Sequence, residues 1–270
     1  MIAFQKMQGA GNDFIVLDNR SLGLTFDEII NITPKLCDRR FGIGADGVLV
    51  LQESDIADYK MIYRNADGSD AGMCGNGGRC LALFAVNRGF PPIHTFNVHR
   101  NVYEATVGKD QVTIKFPVKV LPKQIGEICG YHLIQANAAT EHVVILVDDS
   151  QLAREDELRK AGLIIRSSQE NFPKGTNVNF MYNINTNHIG LQTYERGVEN
   201  LTLACGTGAI ASAIVHHYLN GLQTEKSTIL VDCKGGQLTI SFDYLKASYN
   251  YQNIHLTGPA EFVFDGNIPL

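Results

Sequence analysis

The strongest constraint on this chain of 270 residues is a pattern that it carries twice. Tyr63 ends a strand-like run, and 11 residues later (74−63) come Cys74, Gly75, Asn76 and Gly77. Tyr194 ends another such run, and again 11 residues later (205−194) come Cys205, Gly206, Thr207 and Gly208. Each Cys-Gly-x-Gly opens a largely apolar helix. Each helix stops at an Asn and a Gly, Asn87 with Gly89 and Asn220 with Gly221. A β-like pair follows each time: Thr95–Val98 with Gln111–Phe116, and Thr228–Val231 with Gln237–Phe242. One repeat with a period near 131 residues (205−74) predicts a duplicated fold rather than a solenoid array.

Short strands and isolated helices fill the rest. Strand-like runs are Ile2–Lys6, Phe14–Leu17, Val48–Leu51, Val112–Phe116, His142–Val147, Gly190–Tyr194, Ile229–Val231, Gln237–Phe242 and Glu261–Phe264. Helical stretches are Phe26–Cys37, Arg79–Asn87, Leu152–Ala161 and Ala209–Asn220. The expected class is α+β (mixed α/β). A length near twice a common domain size agrees with two domains.

Composition narrows the function. With 44% hydrophobic and 19% charged residues, the chain is ordinary for a globular protein. A net charge of −5 argues against nonspecific nucleic-acid binding, which needs a basic surface. No apolar run reaches a membrane-spanning length, and the N-terminus lacks the apolar core of a signal peptide. The expectation is a cytoplasmic protein acting on a small molecule. Its six cysteines, Cys37, Cys74, Cys80, Cys129, Cys205 and Cys233, form no CxxC pair and no zinc-like spacing, so free thiols are expected. No metal or cofactor motif stands out. Gly42 to Gly47 matches G-x-G-x-x-G, but a strand-like run follows where a dinucleotide fingerprint needs a helix, so it is read as a tight glycine turn.

The duplicated motif carries chemistry. A helix start presents unpaired N–H groups and the positive end of the macrodipole, which lower the pKa of a cysteine placed there. The glycines let the backbone approach a ligand, and the N–H groups can cradle a carboxylate. Two such sites suit inversion of a carbon centre, in which one thiolate removes a proton and the opposite thiol returns one. Donors aimed at the charge that develops on a carboxylate are each worth a few kcal/mol, roughly 10²–10³ in rate. The plain alternative is a pair of buried structural cysteines on core helices.

The motifs together resemble diaminopimelate epimerase. They are Gly9 to Phe14 (GAGNDF), Asp38 to Gly47 (DRRFGIGADG), Asn65 to Ser69 (NADGS), Met73 to Gly77 (MCGNG), Gly175 to Phe180 (GTNVNF), Glu195 to Gly197 (ERG), Ala204 to Gly208 (ACGTG) and Thr257 to Ala260 (TGPA). They run in family order along nearly the whole chain. The resemblance implies two pseudo-symmetric domains, each a β-barrel-like sheet around a central helix. Residues 1–117 with 255–270 would form the first domain, carrying Cys74, and 118–254 the second, carrying Cys205. It implies cofactor-independent conversion of LL-diaminopimelate to the meso form by the two cysteines, for lysine and peptidoglycan precursors, in a homodimer. Backbone groups of Gly75, Asn76, Gly206 and Thr207 would hold the reacting carboxylate, and Asn12 would contact the reacting amino group. Asn65, Asn177, Glu195 and Arg196 would bind the distal amino acid, where a guanidinium fork suits a carboxylate and a Glu suits an ammonium. Three positions depart from the family pattern. Thr140 stands where an amide commonly helps bind the distal carboxylate, Leu201-Thr202 replaces Glu-Thr, and Gly47 stands where some members have Gln.

Rival functions keep part of this picture. A related two-cysteine racemase would act on another amino acid, although Glu195 and Arg196 favour a two-headed substrate. A thiol-redox protein would explain the thiols but not the Gly-x-Gly pairs. A non-catalytic amino-acid-binding module would leave the paired thiols without a role. Of the remaining candidates, the Asp38-Arg-Arg40 cluster is expected to be solvated or structural. His142 is expected to be a satisfied structural histidine or a group just behind the site. His216 and His217 are assigned to packing or surface, Cys80 to the core, and Cys37, Cys129 and Cys233 to structure.

Overall fold

A computed structural model of the chain describes residues 1–70, 72–221 and 224–269. Ala71, in the first copy of the repeat, and Leu270, at the end of the first expected domain, lie outside them. The chain divides into two compact units, Met1–Lys115 with Thr257–Leu270, and Phe116–Leu256.

In the first unit the strands pair in the order Glu261–Ile268, Ile2–Gly9, Asn12–Asp18, Gly47–Gln52, Tyr59–Asn65, Ile93–Val98, Asn101–Val107 and Val112–Phe116. In the second unit the order is Lys123–Ile128, Tyr131–Gln135, His142–Leu146, Asn177–Asn185, His188–Glu195, Lys226–Cys233 and Gly236–Leu245. Both ladders run through the same sequence of six pairings, two antiparallel, one parallel, one antiparallel, one parallel, one antiparallel, and the first adds a seventh, antiparallel. The parallel steps need crossovers, and helices supply them. Phe26–Cys37 and Glu155–Arg166 serve the first parallel step of each unit, and Gly75–Asn87 and Gly206–Leu219 the second. The duplication legible in the sequence is thus a duplication of topology.

The two helices of each unit differ in how much of their surface is buried. Phe26–Cys37 is amphipathic and lays Ile29, Leu36 and Cys37 against Val48, Val50 and Ile62 on one face of the sheet. Thr25 caps it and forms a capping box with Glu28. Glu155–Arg166 does the same in the second unit with Leu158, Ala161 and Ile165. Gly75–Asn87 and Gly206–Leu219 are buried nearly all round, as a helix enclosed by its own sheet must be. Leu49, between Val48 and Val50 on the strand, faces the other side, where its Cδ2 sits 2.9 Å from the position a Cβ on Gly77 would take.

Three expectations are corrected. Thr95–Val98 does not pair with Gln111–Phe116. Strand Asn101–Val107 lies between them, folded back through a turn at His99, whose φ is 51°. The helix expected over Leu152–Ala161 is two helices, Asp149–Leu152 and Glu155–Arg166, each with its own start. Cys129 is not packed inside but exposed, in a left-handed turn between two strands. Among the described residues no helix is long and apolar enough to cross a membrane.

Candidate active site

Cys74 and Cys205 are the N-cap residues of the two central helices, with near-equal backbone angles: φ −113°, ψ 119° and φ −115°, ψ 110°. Their carbonyls accept the first helical bonds, from Gly78 and Ala209, both at 2.8 Å. At Cys74 the extended backbone of an N-cap turns the sulphur toward the first N–H groups of its helix. Cys74 accepts from the Gly77 N–H at 3.4 Å, and Cys205 Sγ lies 3.6 Å from Thr207 Oγ1. Burial pushes the thiols of Cys37 and Cys80 each up to about 12.

Around Cys74 the structure brings Asn12 within reach, its Oδ1 3.9 Å from Sγ. Asn12 is held from behind, because its Nδ2 donates to Asp46 Oδ2. Arg39 bridges Asp46 and Asp13 at 2.8 and 2.7 Å, and Lys6 joins Asp13 at 2.6 Å. Burial raises the Asp13 carboxyl, but hydrogen bonds from Arg39 and Lys6 outweigh it and bring the pKa down to about 2. The Asp38-Arg-Arg40 cluster is therefore structural at Arg39. Asn76 is buried, and its side-chain oxygen accepts from Arg79 at 2.9 Å. Fully buried Arg79 also donates to the carbonyls of Gly75 at 3.2 Å and Pro259 at 3.1 Å. Arg79 and Asp46 escaped the sequence reading. The signal for Arg79 was a charge set inside an otherwise apolar helix.

The second unit gathers Asn177 and Arg196, two of the four residues assigned to the distal amino acid. Asn177 Oδ1 accepts from the Arg196 N–H at 2.9 Å, and its Nδ2 donates to the Glu141 carbonyl at 3.0 Å. The Arg196 guanidinium pairs with Glu141 at 3.2 Å and donates to the Lys174 carbonyl at 2.9 Å. Glu195 ends strand His188–Glu195 opposite Asn200. Asn65 ends its strand in the first unit, opposite Gly47, with its side chain on Ser69 at 3.0 Å. Thr140 turns its hydroxyl to His142 and Thr207, at 2.8 and 3.3 Å. His142 is fully buried, and burial, reinforced by the charge of Arg196, lowers its pKa to about 3. His216 and His217 are buried packing residues, and Gly42 to Gly47 leads into a strand rather than a helix. Among the described residues no cluster of His, Cys, Asp or Glu could hold a metal ion.

Comparison with known proteins places the chain in a family. The sequence model of the family described as diaminopimelate epimerase matches residues 4–113 and 134–263. The diaminopimelate epimerase of Flavobacterium psychrophilum is 37% identical over 265 residues, covering 97% of this chain and 98% of the relative. That of Methanocella arvoryzae is 38% identical over 284 residues, covering 99% and 96%. The fold is shared with a phenazine biosynthesis protein of the PhzF family from Bacillus anthracis, with a TM-score of 0.78 at 14% identity over 100% of this chain and 99% of that one. It is also shared with a hydroxyproline epimerase from Agrobacterium vitis, solved with trans-4-hydroxy-L-proline, with a TM-score of 0.73 at 16% identity over 98% and 91%. With full-length identity above one third and a family match on both halves of the repeat, this chain belongs to the diaminopimelate epimerase family and is an isomerase.

Proposed function

We propose that the protein converts LL-diaminopimelate to meso-diaminopimelate with Cys74 and Cys205 as its two acid–base groups, without metal or cofactor. The observation that carries this reading is the matched pair of N-cap cysteines, each leading a Gly-x-Gly helix start with the same backbone angles. In the forward reaction one thiolate takes the α-proton of the substrate and the other cysteine, as a thiol, returns one to the opposite face. The electron pair left on the α-carbon spreads into the carboxylate. The N–H groups of Gly75, Asn76, Gly206 and Thr207 meet that charge as preorganised donors. Asn12, anchored by Asp46, presents its carbonyl oxygen to the reacting ammonium. Asn65, Asn177, Glu195 and Arg196 hold the distal amino acid, with Arg196 shared between Glu141 and the incoming carboxylate. The same reading makes the protein a cytoplasmic homodimer that serves lysine synthesis.

The test is incubation of the reduced protein with LL-diaminopimelate in deuterated water, with no added cofactor. Deuterium should enter the α-position as the meso isomer forms. Cys74→Ala and Cys205→Ala should each lose at least about 10²-fold in rate, the lower end of what a positioned acid or base contributes. Near-full epimerisation by either variant would overturn the two-cysteine scheme.

A further inference from the structure

Behind Cys205 lies a chain of hydrogen bonds whose directions are set from its far end. The Nδ2 of buried Asn179 donates to the Val143 carbonyl at 2.8 Å, a group that can only accept. Its Oδ1 accepts from the Thr193 hydroxyl at 2.9 Å. These two bonds fix which way the amide faces. The same Nδ2 lies 3.0 Å from His142 Nδ1, so Nδ1 is the acceptor nitrogen of the ring. His142 is neutral, because burial and the charge of Arg196 lower its pKa to about 3. Its single ring proton therefore sits on Nε2, which lies 2.8 Å from Thr140 Oγ1 and 2.9 Å from Thr207 Oγ1. That proton faces both hydroxyl oxygens, and the Thr140 hydroxyl in turn donates to Thr207 Oγ1 at 3.3 Å. Because the ring N–H and the Thr140 hydroxyl both face Thr207 as donors, its own O–H is turned to Cys205 Sγ at 3.6 Å. The charged groups beside this cluster in its unit are Arg196 and its ion-pair partner Glu141. The strands packed on it contribute the uncharged Asn179 and Thr193.

We propose that Thr207 is a positioning residue whose hydroxyl, oriented by His142 and Asn179, donates to the Cys205 sulphur and favours its thiolate form. The proposal rests on the acid–base role assigned to Cys205, which is a thiolate for half of every catalytic cycle in a two-cysteine scheme. It adds a side-chain function to a residue whose backbone N–H is assigned to the substrate carboxylate. It also gives Thr140 a use: in place of an amide aimed at substrate, its hydroxyl completes the set of donors onto Thr207.

The device can be measured with substrate absent. The titration of Cys205 is the difference in ultraviolet thiolate absorbance between the Cys74→Ala and the Cys74→Ala/Cys205→Ala proteins. In the Cys74→Ala background, Thr207→Val should raise the midpoint by roughly one to two pH units, the worth of a hydrogen bond to a charged group. Thr207→Ser keeps the hydroxyl and should leave the midpoint in place. His142→Leu, which removes the donor that orients Thr207, should shift it upward by less than Thr207→Val does. Should Thr207→Val fail to fold, Thr207→Ala removes the same hydroxyl with a smaller group. An unmoved midpoint in a folded Thr207→Val or Thr207→Ala protein overturns the proposal, as does an equal shift in Thr207→Ser. A protein that shows the shift but never exchanges the α-proton of diaminopimelate keeps the device and overturns only the epimerase reading.

Discussion

Gly77 and Gly208 hold the same place in the repeat but do different packing work. A Cβ on Gly208 would stand 2.3 Å from Asn179 Oδ1 and 3.1 Å from Thr193 Oγ1, inside the network that orients His142. A Cβ on Gly77 would meet only the apolar ends of side chains, Leu49 Cδ2 at 2.9 Å and Met61 Cε at 3.3 Å. Gly208→Ala should therefore cost about 1–3 kcal/mol of stability and most of the activity, because a polar network must open to admit the methyl group. Gly77→Ala should cost less. Urea denaturation of the two variants side by side checks the ranking, and equal costs would refute the role given to Asn179. Asn12 and Asp46 teach a related lesson. The sequence marks Asn12 by its motif, but the carboxylate that aims it lies 34 residues away and becomes its neighbour only when two strands pair in parallel.

At the scale of the element, the first central helix is organised at its N-terminus by a charge from its own interior. Arg79 reaches back one turn to the Gly75 carbonyl and to Asn76, and across to Pro259. The guanidinium fork serves three acceptors, and no apolar side chain can replace those bonds. Arg79→Met should lower stability by about 2–4 kcal/mol, from the buried acceptors left short of a donor. Arg79→Lys should recover only part of that, since an ammonium is a point charge without the planar fork. Thermal unfolding of both variants tests this, and full stability in Arg79→Met would show that the fork is dispensable. The apolar run of this helix made it legible, and the N-cap cysteine marked its start. The amphipathic pattern of Phe26–Cys37 gave its bounds without adjustment. Strand Asn101–Val107 was passed over because Asn, Glu and Thr interrupt its apolar residues, and its place was set by pairing on both sides.

For the whole molecule, the buried neutral His142 makes stability depend on pH. In the unfolded chain a histidine titrates near about 6.5. Folded, His142 is lowered to about 3. Below about pH 6.5 the unfolded state binds a proton that the folded state refuses, so stability falls as pH falls, until the folded pKa is reached. At about pH 5 the loss from this one group is on the order of 2 kcal/mol. Asp13 adds a second, more acid window: held at about 2 against an ordinary 3.8, it contributes stability above 3.8 that is lost as pH falls toward 2. Denaturation midpoints measured from about pH 7 to pH 5 should drop in the wild type and drop less steeply in His142→Gln, where His94 and His217, also lowered by burial, still contribute. Parallel slopes would mean that another group carries the effect.

The sequence by itself determined the duplication, the fold class, the two helix-start cysteines and the family, because these are written in local pattern: a motif at a fixed offset from a tyrosine, an apolar helix, a glycine stop. Tertiary structure alone decided which residues stand behind those motifs. Asp46 behind Asn12, Arg79 reaching across to Pro259, and the Asn179–His142–Thr207 chain behind Cys205 all join residues distant in sequence. A buried polar group takes whatever partner the strand register brings within about 3 Å, and no periodicity in one segment can name a partner on another.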